Sequence, residues 1–328
     1  MLRVLAYHRI AEPNSAPAVD DRNISATPSA FRQQMRYVAR HCRCISMPEV
    51  LDAIERRRKL PRRAVLITFD DAYRDFAEAA WPILSQFHLT ATVFVPTAFP
   101  DHPERVFWWD RLHQAFMATR RIAPLDTPLG RLPMKHPQQR MSSLRAVQQY
   151  VVTVANQQAI TLVDSLCEEL DVEQKHFESH VMSWNQLREL RACGVTLGSH
   201  TRTHPLATRL SPEQARDEIR GSQQDLRREI GTALPIFCYP NGNHSEVVAR
   251  ILEQEGIRLA FTTIPSLNHL PAAAGLLQIG RTCITPRTSA AIFALRLLAV
   301  GVRLDRWRHR KLEALLTRTR PELQTSNG

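Results

Sequence analysis

No Cys-x-x-Cys pair occurs in this 328-residue chain, although the chain contains six cysteines. This absence argues against a cysteine zinc site, and the scattered cysteine positions give no disulfide framework. Free thiols are typical of a reducing compartment. With 44% hydrophobic residues, the chain is long enough for one large α/β domain or two ordinary ones.

Long apolar runs are also missing. No stretch of about 20 apolar residues occurs, so a membrane-spanning helix is not expected. The first eight residues run directly into a strand-like segment without an apolar stretch of signal-peptide length. These two absences predict a cytoplasmic protein.

Acidic residues are outnumbered by basic ones. The chain has 43 Lys and Arg against 32 Asp and Glu, a net charge of +11 and a pI of about 10.0. A basic surface favours anionic partners, although codon bias in a GC-rich genome explains it equally well. No nucleic-acid-binding motif accompanies the charge, so nucleic acid is not an expected partner. No feature predicts an oligomeric state.

Strand-like and helix-like segments alternate along the chain, which predicts a parallel sheet. The strand-like runs lie at residues 4–6, 64–69, 91–96, 195–199, 237–242, 259–263 and 277–281. About seven such units predict a distorted (β/α) barrel over residues 1–288, with its chemistry at the C-terminal ends of the strands. Residues 105–180 do not follow this alternation of strands and helices, and their pattern predicts a mostly helical insertion.

Residues 289–328 are apolar and then basic. Ile292, Leu295 and Leu298 recur at helical spacing, and an arginine-rich run follows at 303–311. A helix of this kind suits an anionic membrane surface, and packing on the barrel or a solvated tail is the alternative. We expect a basic C-terminal helix and, from residue 318, a disordered tail.

Acidic and imidazole side chains follow two of the predicted strands. Asp70 and Asp71 come directly after the clearest buried strand, and His200 and His204 follow a later one. Histidines four residues apart on one turn can share a metal ion. Pro205 disfavours helix at His204, so a single tight turn is expected.

Together the two segments predict a catalytic metal site. Two histidines and one carboxylate leave a position open for water. The metal acidifies that water, and a second carboxylate can accept the proton. Each motif alone has a simpler interpretation, as solvated histidines or as acids that cap a helix, and only their combination favours catalysis.

The segments 68–71, Thr-Phe-Asp-Asp, and 200–204, His-Thr-Arg-Thr-His, resemble the first two motifs of the polysaccharide deacetylases, the NodB-homology group of carbohydrate esterase family 4. Their order and wide spacing match as well. The resemblance covers about residues 1–285, apart from the insertion. It implies a NodB-like barrel and a hydrolase that removes an N-acetyl group from an amino sugar and releases acetate.

The resemblance also assigns roles to the residues of these motifs. Asp71, His200 and His204 would bind a divalent metal, usually zinc. Asp70 would be the general base for the attacking water, and Arg281 would orient Asp70. An ordinary ion pair or surface position is the alternative for Arg281.

The third motif of the family resembles the turn at 237–242. A backbone N–H near Tyr239, in the turn with Pro240 and Asn241, would stabilise the oxyanion. Cys238 and Asn241 stand where the family often carries an arginine and a tyrosine. The usual Leu-x-His motif near the C-terminus is absent after Arg281.

The N-terminal Leu-Ala-Tyr-His at 5–8 resembles the circularly permuted poly-N-acetylglucosamine deacetylases, in which the closing barrel strand comes first. That resemblance makes His8 the candidate acid for the leaving amine, with a structural role as the alternative. His244 and His269 are weaker candidates.

The expected partner is an N-acetylated sugar or a glycan precursor. A nucleotide- or lipid-linked substrate would suit the basic surface, and the C-terminal helix would suit the inner membrane face. Trp108 and Trp109 either stack on a sugar or pack within the insertion. The alternatives are a hydrolase of another non-peptide C–N bond and an inactive carbohydrate-binding scaffold in a polysaccharide biosynthesis complex.

Overall fold

The computed structural model describes residues 1–13, 19–172, 177–266, 268–270 and 275–298. Its strands are β1 (Leu2–Tyr7), β2 (Arg9–Ile10), β3 (Ile24–Ala26), β4 (Arg43–Cys44), β5 (Ala64–Phe69), β6 (Thr92–Val95), β7 (Leu125–Thr127), β8 (Gly130–Leu132), β9 (Thr196–Ser199), β10 (Ile236–Cys238), β11 (Leu259–Phe261) and β12 (Thr282–Cys283). Its helices are α1 (Pro28–His41), α2 (Met47–Glu55), α3 (Trp81–Gln86), α4 (Trp108–Ala118), α5 (Pro137–Val151), α6 (Asn156–Glu169), α7 (Trp184–Ala192), α8 (Pro212–Ile230), α9 (Glu246–Gln254) and α10 (Ala290–Arg296).

Seven parallel strands form a curled half-barrel in the order β11-β10-β9-β6-β5-β1-β12, and the short β4 pairs with β5. A parallel bridge between Phe261 and Ile279 brings the two ends of the sheet together. This arrangement confirms the predicted (β/α) barrel with about seven strands. The first strand lies between β5 and β12, and the predicted circular permutation stays a prediction.

Alternating side chains divide the strands between two hydrophobic layers. Inside the barrel, Val4, Leu66, Phe94 and Cys238 belong to one buried cluster. Outside it, neighbouring residues of the same strands pack against helices such as α1. Gly198 lies where a Cβ atom would come within 2.8 Å of Phe94 and Ile236, so only glycine fits this inner position.

One predicted strand differs from the structure. The predicted strand at 277–281 is a 3-10 turn, Leu276–Gln278, followed by an extended segment that leads into β12.

The helical segment between β5 and β6 begins as a π-helical turn, Phe76–Ala80, before α3. Pro82 has no N–H to donate to the preceding turn, which accounts for the wider turn there.

The insertion has its own hydrophobic core. Helices α4, α5 and α6 bury Leu112, Phe116, Leu144, Val147 and Leu166 together. The β7–β8 hairpin, which the sequence pattern did not predict, adds Leu125 to this core. The insertion is therefore mostly helical, as predicted.

The described part of the C-terminal region packs on the barrel. Phe293 of α10 is buried against Tyr37 of α1, and Arg3 donates a 3.1 Å hydrogen bond to the carbonyl of Leu297. Ile292 and Leu295 are 40% and 41% exposed. The basic run and the tail lie outside the described residues, so the membrane surface and the cellular location stay predictions. No helix in the described ranges has the length and apolarity needed to cross a bilayer.

Candidate active site

Side chains from five strand ends meet at one cavity of about 520 Å³. Asp70 and Asp71 follow β5, while His200 and His204 follow β9. Asn241 follows β10 and Thr263 follows β11. His8 follows β1 and lines the same cavity. We call the group Asp70, Asp71, His200, His204 and Asn241 the strand-end wall.

The turns of the strand-end wall have unusual backbone conformations. The angle φ is +69° at Asp71, +65° at Thr201, +59° at His204 and +57° at Asn241. The left-handed region is unfavourable for residues with a Cβ, by roughly 1–2 kcal/mol each. The histidine turn is thus a bent loop rather than a helical turn. Strained residues of this kind cluster at functional sites because the surrounding structure holds them in place.

Three side chains form a set that can hold a metal ion. Oδ1 of Asp71 lies 3.2 Å from Nε2 of His204 and 3.5 Å from Nε2 of His200. On a tetrahedral zinc, ligands about 2.1 Å from the metal lie about 3.4 Å apart. Oδ1 of Asp71 is buried and makes no hydrogen bond of normal geometry within the described ranges. The donor set therefore fits a divalent cation.

The tautomer of His200 also suits metal binding. Its Nδ1–H donates a 2.8 Å hydrogen bond to the carbonyl of Cys238, so Nε2, which faces Asp71, is the nitrogen that would exchange its proton for a metal ion. A second set, Asp70, His200 and Cys238, has ligand atoms that are equally close together. We favour the set with Asp71 because Asp70 is already neutralised by Arg281, as described below.

The electrostatics of the two histidines differ. Burial lowers the pKa of His204. Burial acts on His200 in the same way, but Cys238 and Asp71 outweigh it and raise the pKa of His200 well above its ordinary value. Burial opposes ionisation of Asp71, yet the close imidazoles of His200 and His204 hold its pKa well below the ordinary range. Asp71 therefore stays ionised and attracts a cation between itself and the imidazoles.

Asp70 is held by a buried arginine. Nη1 and Nη2 of Arg281 each donate a 2.7 Å hydrogen bond to one oxygen of Asp70. Burial raises the pKa of Asp70, but the charge and hydrogen bonds of Arg281 outweigh burial and lower it. Asp70 is thus an ionised carboxylate in a fixed orientation, as a general base requires.

Arg281 is itself fixed by two neighbouring strands. It donates to the carbonyl of Thr262 over 2.9 Å and to Oγ1 of Thr68 over 3.2 Å. The Sγ atom of Cys238 lies 3.6 Å from both oxygens of Asp70. Cys238 stands where the family often carries an arginine, and in this chain it is Arg281 that makes the ion pair with Asp70.

His8 lies at the rim of the cavity. Its Nε2 is 3.9 Å from Oδ2 of Asp70, and its side chain is 37% exposed. Its backbone N–H donates a 2.8 Å hydrogen bond to Oγ of Ser25, which anchors the end of β1. This position, next to the base and open to the cavity, allows His8 to exchange a proton with a bound substrate.

The three residues predicted to stabilise the oxyanion do not act as a group. The Tyr239 side chain is buried outside the barrel, and its hydroxyl donates to the carbonyl of Leu277 over 3.0 Å. Its backbone N–H donates to Phe261 over 3.0 Å. Strand alternation explains this, because Cys238 takes the inward position. Of Tyr239, Pro240 and Asn241, only Asn241 lines the cavity.

Trp109 of the insertion packs against His204, one of the candidate metal ligands. The ring centroid of Trp109 lies 4.9 Å from that of His204, and Nε1–H of Trp109 donates to the Tyr73 hydroxyl over 2.9 Å. That hydroxyl donates to Asp110 over 3.1 Å. Burial raises the pKa of Asp110 to about 7. Trp109 therefore packs against a candidate metal ligand, and because Trp108 and Trp109 also line the cavity, stacking on a sugar stays a prediction.

Several cavity residues were missed by sequence reasoning. Arg22 and Asn23 belong to a stretch interpreted as a surface loop, and Arg209 lies beyond the histidine motif. No signal in the sequence marks them. Thr68 could have been found, because it begins the Thr-Phe-Asp-Asp segment.

Comparison with known proteins places the fold and the site in one family. The chain is 19% identical over 293 residues to the Bacillus subtilis protein YxkH, covering 89% of this chain and 74% of that one. A poly-β-1,6-N-acetyl-D-glucosamine N-deacetylase of Staphylococcus aureus is 29% identical over 102 residues, 28% of this chain and 35% of that enzyme.

A solved structure shares the fold. The Streptococcus pyogenes deacetylase PplD, determined in complex with acetate, superposes with a TM-score of 0.61 at 19% identity, covering 90% of this chain and 98% of that one. The polysaccharide deacetylase family matches residues 57–121 and 144–260, more than half of the chain. The chain therefore belongs to the polysaccharide deacetylase family.

Proposed function

We propose that the protein is a metal-dependent hydrolase that removes the N-acetyl group from an amino sugar of a glycan or glycan precursor and releases acetate. The observation that carries the proposal is the pairing of two adjacent carboxylates in different roles. Asp71 faces two imidazole nitrogens, whereas Asp70 is held by Arg281. The Staphylococcus aureus relative, which acts on poly-N-acetylglucosamine, supports the substrate class.

Asp71, His200 and His204 would hold the metal, and we propose Zn²⁺ because two imidazoles and a carboxylate form a common catalytic zinc site. When bound, the metal supplies Lewis-acid polarisation and acidifies water. Asp70 accepts the proton of the water that attacks the acetamide carbonyl. Arg281 keeps Asp70 ionised and aimed at the cavity.

The remaining steps use the rim of the cavity. Asn241 lines the cavity in the turn that follows β10, so its backbone N–H is our donor for the developing oxyanion. His8 then gives a proton to the nitrogen as the C–N bond breaks. The products are acetate and a free amino sugar.

The test is acetate release over a panel of N-acetylated sugars, both chain-linked and carried on nucleotides or lipids. Asp70→Asn is the matched control, because amide and carboxylate have nearly the same shape. General base catalysis contributes about 10²–10⁴-fold, so we expect Asp70→Asn to lose activity by that factor. A variant as active as the wild type would contradict the base assignment.

The same panel separates the alternatives. Faster hydrolysis of other small amides than of acetylated sugars would favour a different C–N hydrolase. Stoichiometric metal without turnover of any substrate would favour an inactive scaffold. The fixed, ionised pair of Asp70 and Arg281 argues against an inactive scaffold, since a protein that only binds carbohydrate does not require a buried carboxylate base.

A further inference from the structure

One side of the cavity is built from the insertion and is apolar. Its aliphatic side chains come from the end of α5, the start of α6 and the connection between them, and we call them the insertion wall: Val151, Val152, Val154, Ala159, Ile160 and Val163. The α6 members follow the spacing i, i+1 and i+4, which places them on one face of the helix. Ile160 is 44% exposed, and it belongs to a continuous apolar patch that lines the cavity rather than standing alone on the surface.

Arg22 and Gln148, two polar residues beside the insertion wall, already have partners in the protein, whereas Nδ2 of Asn23, which also lines the cavity, has none within the described residues. Arg22 pairs with Asp20 and also donates to Oε1 of Gln148. The amide nitrogen of Gln148 donates to the carbonyl of Trp109 over 3.4 Å. The side chains of Arg22 and Gln148 offer little to the hydroxyl groups of a polysaccharide, which would lose hydrogen bonds to water on this surface.

The insertion wall is attached to the metal-site side of the cavity. Arg209, five residues beyond His204, donates to the carbonyls of Thr153 and Val154 in the α5–α6 connection, the second over 2.7 Å. The wall therefore lies at a set position relative to the histidine turn. The cavity of about 520 Å³ includes both walls and is much larger than an acetamido group requires.

We propose that the insertion wall binds an aliphatic chain that belongs to the substrate, while the strand-end wall holds the amide. This inference rests on the proposed function and narrows its substrate class to amphiphilic N-acylated amino sugars. Two sources supply the same chemistry: an acyl chain on the nitrogen, or an alkyl or lipid group on the glycosidic oxygen. In either case the reaction stays a hydrolysis, in which water adds to the carbonyl carbon and the C–N bond breaks.

The experiment uses two substrate series with the full-length, metal-loaded protein. In one, the glycosidic group of N-acetylglucosamine lengthens from methyl to butyl to octyl, and acetate is measured. In the other, methyl glucosaminide carries acetyl, butyryl or octanoyl on its nitrogen, and the free amine is measured. Concentrations stay below micelle formation. Each methylene buried on the wall should raise kcat/KM by about threefold.

A matched pair of variants locates the effect. Ile160→Gln places an amide on the insertion wall, and Ile122→Gln makes the same change at a residue that is 66% exposed and does not line the cavity. The ratio of kcat/KM for the octyl and methyl substrates should fall severalfold in Ile160→Gln and stay at the wild-type value in Ile122→Gln. Calorimetric affinities for the octyl and methyl glycosides should follow the same order.

The outcomes separate this inference from the proposed function. A rise in one series supports the inference and identifies which end of the substrate carries the chain. Turnover that is flat or falls with chain length in both series, or an equal response of both variants, overturns it while leaving the deacetylase intact. No turnover of any substrate contradicts the proposed function, and calorimetry then decides whether the wall binds alkyl chains.

Discussion

The two walls of the cavity are built by opposite means. The strand-end wall is polar and, apart from the exposed Asn241, largely buried, and ion pairs and strained turns fix its side chains. The insertion wall is aliphatic, partly exposed and made from two helices that share a core of their own. The two walls therefore have different proposed roles. The barrel carries the proposed catalytic groups, and the insertion forms the part of the cavity that is proposed to select the substrate.

The largest effect is expected from removing the positive charge of Arg281, which pairs with Asp70 in the strand-end wall. Arg281→Met leaves the carboxylate of Asp70 buried without its partner, and we expect the free energy of unfolding to fall by about 3–5 kcal/mol. Chemical denaturation measures it. Arg228→Met, at an ion-paired side chain that is 63% exposed, is the control and should lose less than about 1 kcal/mol. Equal losses would contradict a special role for the buried pair.

A second test concerns Asp110, which links the insertion to the back of the metal site. Its pKa of about 7 lies above the ordinary value of 3.8 because of burial. Between these values the unfolded chain has released the proton and the folded chain retains it. The free energy of unfolding of the metal-free protein should therefore fall as the pH rises from 4 to 7, with a contribution from Asp110 of about 2–4 kcal/mol.

Asp110→Asn removes that contribution, so its unfolding free energy should depend less on pH over the same range. Denaturation at several pH values compares the variant with wild type. Asp164→Asn, at a side chain that is 48% exposed, serves as the control and should retain the wild-type slope. An unchanged slope in Asp110→Asn would show that this carboxyl group is ionised at neutral pH.

The smallest expected effect concerns Tyr73, at the contact between the barrel and the insertion. Tyr73→Phe removes the hydroxyl that accepts from Trp109 and donates to Asp110. We expect a loss of about 1 kcal/mol in unfolding free energy, the usual net value of one hydrogen bond. Metal affinity should weaken as well, because Trp109 packs against His204. A metal titration of the wild type and Tyr73→Phe measures the affinity. Equal affinities would show that Trp109 stabilises the insertion but does not position His204 for metal binding.

The strand-end wall could be predicted because its residues occur in short motifs that each come directly after a predicted strand. Strand β5 is an uninterrupted apolar run, and the residue that follows such a run must emerge at the edge of the sheet. The same argument places His200. The motif at 237–242 predicts the turn but not the side of the barrel that each side chain faces, so it could not show that Tyr239 points outward while Asn241 lines the cavity.

The insertion wall could not be predicted. The apolar spacing in α5 and α6 indicates helices, but their outward-facing residues are not distinguishable from core residues by periodicity alone. Whether Ile160 faces a core, solvent or a cavity depends on the placement of the insertion over the barrel. Contacts such as that of Arg209 with Val154 set this placement, and they join residues 55 apart in the sequence.

The central claim is that two adjacent carboxylates have separate roles, one binding the metal and the other moving a proton. The most direct test measures bound metal per chain and acetate release together, in wild type, Asp71→Asn and Asp70→Asn. We expect Asp71→Asn to lose both metal and activity, and Asp70→Asn to keep the metal and lose activity. Loss of metal in Asp70→Asn, or full activity in Asp71→Asn, would contradict the account.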